Sequence, residues 1–400
     1  MKKIALSSAL AALVALPALG IEVYNNEEKD ASVEIYGSLR GFVGGGGITS
    51  DNPENKGSYI IGFQNNSHFG VNSKYGKLFT KVEFGLRERG VLGTSSGPGL
   101  RKVFGSYDFG SAGKLTFGKL DTPSVEGGFQ TDFNHNDAGG NGFGSVTTGS
   151  RKLQIQYSHS GVTLAIIHDD GANNDGTFFV TDRNTDRNTD RNENNTFVRA
   201  GHSRVPRVAL SYESKLGEKG KLKVAATYKY FDSTKRDITV GFHKGDVHAG
   251  HLLVGVKVPF GDAYLSSIFN YGINGHLYGE QITAASLGGY GYQTDNLGLW
   301  AQRAGLLLEG GAKLNDTLSL AIGAGFQATF NGNNQRGKGL AGAQGVYSYK
   351  VYANLPINVA KGFQVVPQLG FYDTIETARG VSEVTHQSAL VGLVRLKYDF

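Results

Sequence analysis

The sequence predicts an all-β fold, a transmembrane antiparallel β-barrel of sixteen strands that occupies a single domain. Three observations support this prediction. The 400 residues include 59 glycines, 19 tyrosines and 23 phenylalanines but no cysteine, a composition that suits many strands and tight turns and leaves no disulfide framework. Apolar and polar residues alternate over long segments, and short turns alternate with long polar loops.

The N-terminal segment has the features of a cleavable export signal. Lys2 and Lys3 precede an apolar run over residues 4–19, which closes on Ala18-Leu19-Gly20 with small residues at the cleavage positions. A transmembrane helix is the alternative, but the run is shorter than the roughly 20 residues that span a bilayer and continues into polar residues. We therefore expect a signal peptide over residues 1–20, one barrel domain over residues 21–400, and export to the bacterial outer membrane.

Composition and charge argue against two other classes of protein. No second apolar segment is long enough to make a helical membrane protein. The formal net charge is +5, and Lys2 and Lys3 supply two of those charges, so the basic excess of the processed chain is too small to indicate nucleic-acid binding.

The individual strands show a hydrophobic period of two, with one apolar face and one face of charged, amide or small residues. A soluble sandwich with one solvated face is the alternative. The alternating segments run to 10–14 residues, however, which exceeds the usual five or six and suffices to cross a bilayer at a tilt. The clearest examples lie at residues 31–44, 77–87, 221–230, 318–327 and 363–372.

The connections between strands give the strand count. Seven short turns and eight long polar loops alternate, which makes sixteen strands, and an even number returns the chain end to the turn side. Every backbone group inside the hydrocarbon needs a partner, so the sheet must close on itself. The turns are predicted at 75–77, 110–113, 159–161, 216–220, 261–262, 315–316 and 358–362, and the loops at about 45–57, 88–100, 121–149, 170–203, 232–246, 275–298, 331–343 and 374–384.

Four motifs, taken in their order and spacing, resemble the strands of one known family of proteins. Val33-Glu-Ile-Tyr-Gly37 is similar to the opening strand of that family, and Ser67-His-Phe-Gly-Val71 to its second strand. Gly113-Lys-Leu-Thr-Phe-Gly-Lys119 resembles the strand that leads into the third loop. The chain ends Val391-Gly-Leu-Val-Arg-Leu-Lys-Tyr-Asp-Phe400, and in the family such an ending, here with Tyr398 and Phe400, is read by the outer-membrane assembly machinery.

The family that these motifs resemble is the Gram-negative general porin family of trimeric outer-membrane barrels. The resemblance implies a water-filled channel for passive diffusion of ions and small hydrophilic solutes. It implies a homotrimer in contact with outer-membrane lipid and lipopolysaccharide, and a third loop that folds inward and narrows the channel. No cofactor is implied. A substrate-selective channel, or a barrel with an adhesin or structural role, is the alternative.

The resemblance also assigns a pore constriction, in which an acidic third loop faces a basic cluster on the barrel wall. Charged groups that line a pore set its selectivity through their field. A solvated surface loop with ordinary charges is the alternative for residues 121–149. The acidic candidates are Asp121, Glu126, Asp132 and Asp137, and the basic candidates are Arg40, His68, Arg101, Lys102, Arg151 and Lys152.

Strand parity predicts a basic inner wall and hence a weak preference for anions. The face opposite the apolar one carries more cations than anions, whereas the acids of the third loop reduce this excess where the channel is narrowest. The predicted inner-face residues are Arg40, His68, Lys81, Arg87, Lys152, Arg207, Lys223, Lys229, Lys257, Lys313, Lys350, Arg395 and Lys397 against Glu34, Glu83, Glu309 and Asp399.

Catalysis and metal binding receive little support. His168-Asp169-Asp170 is the one cluster of residue types that occur in catalytic sites. The chain contains no Gly-x-Ser-x-Gly or His-Glu-x-x-His motif, so we expect that the protein is not an enzyme. The sequence Thr-Asp-Arg-Asn occurs three times from Thr181, but its arginines and its spacing differ from a calcium loop, which favours a low-complexity surface loop. A loose histidine group, His243, His248 and His251, lacks metal-ligand spacing and is expected to line the pore or a loop surface.

Overall fold

A computed structural model describes most of the strand-forming chain. The described residues are 20–50, 58–64, 66–87, 97–125, 127–133, 143–145, 151–168, 205–231, 247–274, 302–330, 343–378 and 385–400.

The described residues form one antiparallel sheet of nineteen strands and a single short 3₁₀ turn at Gly110–Ala112. The strands are β1 (Ile21–Asn26), β2 (Ala31–Ser50), β3 (Ser58–Phe63), β4 (His68–Tyr75), β5 (Leu78–Arg87), β6 (Gly97–Asp108), β7 (Lys114–Asp121), β8 (Arg151–His159), β9 (Val162–Ile167), β10 (Arg207–Leu216), β11 (Gly220–Phe231), β12 (Val247–Phe260), β13 (Ala263–Ile273), β14 (Gln302–Lys313), β15 (Ser319–Phe330), β16 (Ala343–Asn354), β17 (Ile357–Ala360), β18 (Phe363–Ala378) and β19 (Thr385–Asp399).

The sheet closes on itself, because each wall strand pairs with its sequence neighbour and β19 pairs with β2. β3 and β4 both pair with β2 and act as one interrupted strand, and β16 and β17 do the same against β18. β1 lies outside the ring as a hairpin with β2. The wall therefore has sixteen strands, which confirms the predicted barrel. Six of the seven predicted turns fall between strands as expected, whereas in the seventh, at 358–362, residues 358–360 belong to β17 and only residues 361–362 form the turn.

The two faces of the wall differ as the alternation predicted. Large apolar side chains point outward and are half exposed, for example Phe117 at 59%, Leu369 at 57% and Ile322 at 52%. Charged and amide side chains point inward and are buried against the lumen contents. An apolar outer band over a polar interior is the pattern of barrels whose outside faces lipid. No helix among the described residues is long and apolar enough to span a membrane.

Several strands are longer than predicted, and one was not predicted. β2 continues to Ser50 and pairs with β19 through the glycines of the predicted loop 45–57, because glycine keeps both backbone hydrogen-bonding groups. A Cβ at Gly44 would lie 2.1 Å from the carbonyl oxygen of Gly392, so this close approach of two strands requires glycine. β18 likewise extends to Ala378, into the predicted last loop. β1 was missed because it is only six residues long, Ile-Glu-Val-Tyr-Asn-Asn, and its alternation stops after the third residue.

Candidate functional site

The third loop, which joins β7 to β8, packs across the lumen against the opposite wall. Its described pieces, residues 122–125, 127–133 and 143–145, make contact with β11 to β19. The inward fold predicted for this loop is confirmed by these contacts.

Three phenylalanines attach the loop to the wall. Phe129 is fully buried in a cluster with Leu253, Ile268 and Leu307 from β12, β13 and β14. Its ring lies over Gly255, where an added Cβ would come within 2.6 Å of it. This glycine therefore leaves the space that the ring occupies.

Phe133 and Phe143 fill a second apolar cluster on β18 and β19. The wall side of this cluster comprises Val366, Tyr372, Ala389, Val391 and Leu393. Phe143 stacks edge-on against Tyr372 with ring centroids 5.4 Å apart. Two apolar patches, one around Phe129 and one around Phe133 and Phe143, therefore hold the loop in place.

Asp132 forms a fully buried ion pair with the wall. Its Oδ2 accepts a hydrogen bond from Lys350 Nζ at 2.9 Å, and both side chains have zero exposure. Its Oδ1 accepts from Gln368 Nε2 and from the Tyr372 hydroxyl, each at 2.9 Å. The negative charge is thus neutralised where it stands, between the loop and β16.

Glu309, on β14, is a second buried anchor. Its Oε2 accepts hydrogen bonds from the Thr131 backbone N–H at 2.6 Å and the Thr131 hydroxyl at 2.8 Å. The hydroxyls of Tyr264 and Tyr352 donate to its two carboxylate oxygens. A buried carboxylate with four donors is well satisfied, so it fixes the loop at Thr131.

Arg101 and Lys102 both serve the inner face because β6 contains a β-bulge. Glu83 of β5 pairs with Lys102 while Phe84 pairs with Leu100, which leaves Arg101 as the extra residue. Arg101 Nε donates to Glu83 Oε1 at 2.8 Å. The glycine-rich sequence before this pair shows no alternation, so the sequence does not reveal which of the two residues faces inward. The β-bulge explains how both can do so.

The other described basic candidates lie on the same side of the barrel. His68 Nε2 is 3.9 Å from Glu83 Oε2. Arg40 Nε donates to the Ser38 hydroxyl at 2.8 Å. Lys152 follows Arg151 on β8 and alternates with outward-facing Leu153.

Asp121 joins this basic group directly. It lies at the end of β7, 2.5 Å from Lys102 Nζ and 3.3 Å from Arg151 Nε. The structure therefore brings Asp121, Lys102 and Arg151 together on one wall and places Asp132 against the other. Glu126 and Asp137 lie outside the described residues.

The sequence did not identify the residues that hold the loop. Phe129, Phe133 and Phe143 were not singled out, and Lys350 and Glu309 were predicted only as inner-face charges. A signal existed, because β14 and β19 contain consecutive apolar residues, such as Leu306-Leu307-Leu308, that break the alternation. An apolar side chain on the inner face of a channel wall indicates that something packs there.

The remaining sequence candidates do not form a site in the described chain. His248 points outward, where its Nδ1 is 2.7 Å from the Tyr228 hydroxyl, whereas His251 points inward, 3.2 Å from the Ser124 carbonyl oxygen. No group of three metal-ligating side chains occurs among the described residues. Asp169, Asp170, His243 and the Thr-Asp-Arg-Asn repeats lie outside them.

The C-terminal residues close the barrel. The Gly37 backbone N–H donates to the Phe400 carbonyl oxygen at 2.7 Å, and the Phe400 N–H donates back to Gly37 at 3.0 Å. Tyr398 stacks on Phe363 with ring centroids 4.3 Å apart.

A closed sixteen-stranded barrel with an apolar outside, a charged inside and a loop packed across its lumen defines the porin fold. Solved structures of outer-membrane proteins share it, among them these three. The outer membrane channel DcaP of Acinetobacter baumannii is 13% identical with a TM-score of 0.64, over 94% of this chain and 99% of that one. The trimer form of the outer membrane protein OmpT of Vibrio cholerae is 16% identical (TM-score 0.52, 92% and 99% covered). An anion-selective porin from Comamonas acidovorans is 12% identical (TM-score 0.52, 92% and 100% covered).

No family model and no curated protein matches the sequence. The likeness is one of fold, and at that level the resemblance to general porins found in the sequence is confirmed.

Proposed function

We propose that this chain is an outer-membrane porin, a water-filled channel through which ions and small hydrophilic solutes diffuse passively. The observation that carries the proposal is the third loop, which is packed across the lumen of a closed barrel rather than over its outer surface. An inward loop narrows a passage, whereas an adhesin or a purely structural barrel has no need of one.

The outer surface of the barrel supports a location in the outer membrane. Half-exposed Leu, Ile, Val and Phe side chains cover it, and such a band is stable when lipid rather than water surrounds it. The proposal includes export by the signal peptide 1–20, contact with outer-membrane lipid and lipopolysaccharide, and a homotrimer. The trimer form of OmpT, which shares the fold, supports the last of these.

A weak preference for anions is part of the proposal. Lys223, Lys229 and Lys350 have less than a tenth of their surface exposed and lie on the inner face, as predicted. The two described acids of the third loop are already ion-paired, Asp121 with Lys102 and Asp132 with Lys350. Their charge therefore offsets that of the wall only in part, and the remaining excess is basic.

Planar-bilayer recording tests the channel and its selectivity together. We expect steady single-channel conductance and a reversal potential in a KCl gradient that favours chloride. Arg40→Glu and Lys152→Glu should each shift that potential toward potassium, whereas Lys361→Glu, an exposed change in the turn before β18, should leave it unchanged. Higher salt should shrink the preference, because the Debye length falls from about 10 Å at 0.1 M to about 3 Å at 1 M.

Two results would contradict the proposal. A folded barrel that passes no steady current is not a porin. A reversal potential that neither variant moves would show that Arg40 and Lys152 do not line the selectivity region.

A further inference from the structure

Three lysines cluster on the inner face of the barrel near its turn side. Lys221 and Lys223 lie at the start of β11, directly after the turn that follows β10, and Lys257 lies near the end of β12. Lys221 and Lys257 are directly opposite each other in the antiparallel register. Like charges at directly opposed positions destabilise a sheet, so their placement calls for a compensating anion.

The described residues supply only part of that compensation. One carboxylate, Glu213, lies 2.8 Å from Lys223 Nζ and 3.6 Å from Lys221 Nζ. Lys257 Nζ has no hydrogen-bond partner among the described residues, although it is buried. It lies 3.7 Å from the centroid of the Tyr264 ring, a contact that stabilises a cation only modestly.

A second carboxylate, Glu309, acts on Lys257 through its charge but makes no hydrogen bond to it among the described residues. Glu309 accepts hydrogen bonds from Thr131, Tyr264 and Tyr352, as described above. Three ammonium groups against these two carboxylates leave one surplus positive charge among the described residues, and Lys257 Nζ lacks an oxygen partner there.

The cluster lies directly beneath the third loop. Lys221 Nζ donates to the Gly127 carbonyl oxygen at 3.2 Å and lies 5.2 Å from the centroid of the Phe129 ring. The three lysines thus stand between the loop and the turn-side mouth, where a solute that has passed the loop arrives.

We propose that Lys221, Lys223 and Lys257 form a binding subsite for a small solute that carries a carboxylate or phosphate group. The inference rests on the proposed channel function and adds a substrate class to it. The oxygens of the solute accept hydrogen bonds from Lys221 and Lys223 in competition with Glu213. The flexible stem of Lys257 lets its ammonium leave the Tyr264 ring for the same oxygens.

Titration of the open channel with two probes, sodium succinate and inorganic phosphate, tests the subsite. Each is added to both sides of a bilayer that contains the protein in KCl. We expect a saturable fall in conductance with at least one probe, and the lower half-blocking concentration identifies the preferred oxyanion. Lys257→Gln should raise that concentration about five-fold, the weight of one unit charge about 4 Å away in water-like surroundings.

Two matched variants separate charge from folding. Lys257→Arg keeps the charge and should retain the block. Lys361→Gln removes an exposed lysine from the turn before β18, at the same end of the barrel, and should not change the block. Heat-dependent mobility on SDS gels confirms that each variant is folded.

The proposal is overturned if neither probe blocks the wild-type channel saturably. It is also overturned if Lys257→Gln acts no more strongly than Lys361→Gln, or if Lys257→Arg loses the block as fully as Lys257→Gln. In all three cases the channel still conducts, so the result is distinct from failure of the proposed function, which would show as absence of conductance.

Discussion

Neutralising Asp132 should loosen the third loop. Asp132→Asn leaves Lys350 as a buried ammonium without its anion, and breaking one side of a buried pair costs about 3–5 kcal/mol. The loop is also held by the burial of Phe129, Phe133 and Phe143, at about 1.5–3 kcal/mol for each side chain. The lost pair is thus comparable with roughly half of the apolar contribution, so the loop should stay docked but with a smaller margin.

Single-channel recording measures this margin. Asp132→Asn should increase open-channel noise, because the loop leaves the wall more often. Adding Phe129→Ala, which removes a further 3–5 kcal/mol or so, should raise the mean conductance as the loop spends much of its time released. Asp132→Asn with Lys350→Met should return the noise toward the wild-type level, because a buried pair can often be replaced by neutral residues without loss.

The matched control is Asp316→Asn, which removes the acid of an ion pair that Asp316 makes with Lys313 in an exposed turn. Exposed pairs contribute little, so its noise should equal that of the wild type. The reasoning is refuted if Asp132→Asn is as quiet as this control, or if Asp132→Asn with Lys350→Met is as noisy as Asp132→Asn alone.

Four further predictions concern packing, processing and assembly. Gly255→Val should displace the Phe129 ring and add channel noise, since even a Cβ there lies 2.6 Å from the ring, whereas Gly310→Val, at a position with no contact closer than 3.9 Å, should not. N-terminal sequencing of membrane-purified protein should begin near Ile21, and an intact Met1 would contradict the signal assignment. Detergent extracts should run as an SDS-resistant trimer that collapses on boiling to about 40 kDa, near the mass of the 42.7 kDa full chain, and light scattering that reports a monomer under mild conditions would argue against it. Deletion of Phe400 should lower the yield of inserted barrel, because its backbone pairs with Gly37 at the closing seam, and equal yields would remove that role.

The constriction shows how far local sequence can reach. The sequence identified the third loop and its acids, and the resemblance to porins predicted its inward fold. The sequence could not show which basic residue each acid pairs with. Asp132 and Lys350 are 218 residues apart along the chain and meet only when the barrel closes. The bulge at Arg101 was equally hidden, since an extra residue leaves no trace in an alternating pattern that glycines interrupt.

The sequence by itself determined the architecture: the strands, the seven turns, the two faces and the number sixteen. Those properties are local, because alternation and turn chemistry act over two to five residues and lipid on the outside imposes the same pattern on each strand. The tertiary structure alone decided which inner-face charges are neutralised and which remain available. Lys350 and Lys257 are both inward lysines with the same local pattern. Lys350 pairs with Asp132 from the third loop, whereas Lys257 Nζ lies over the Tyr264 ring and has no hydrogen-bond partner among the described residues. Partners of this kind come from strands and loops distant in the chain, so their charge balance arises only when the ring closes around the loop.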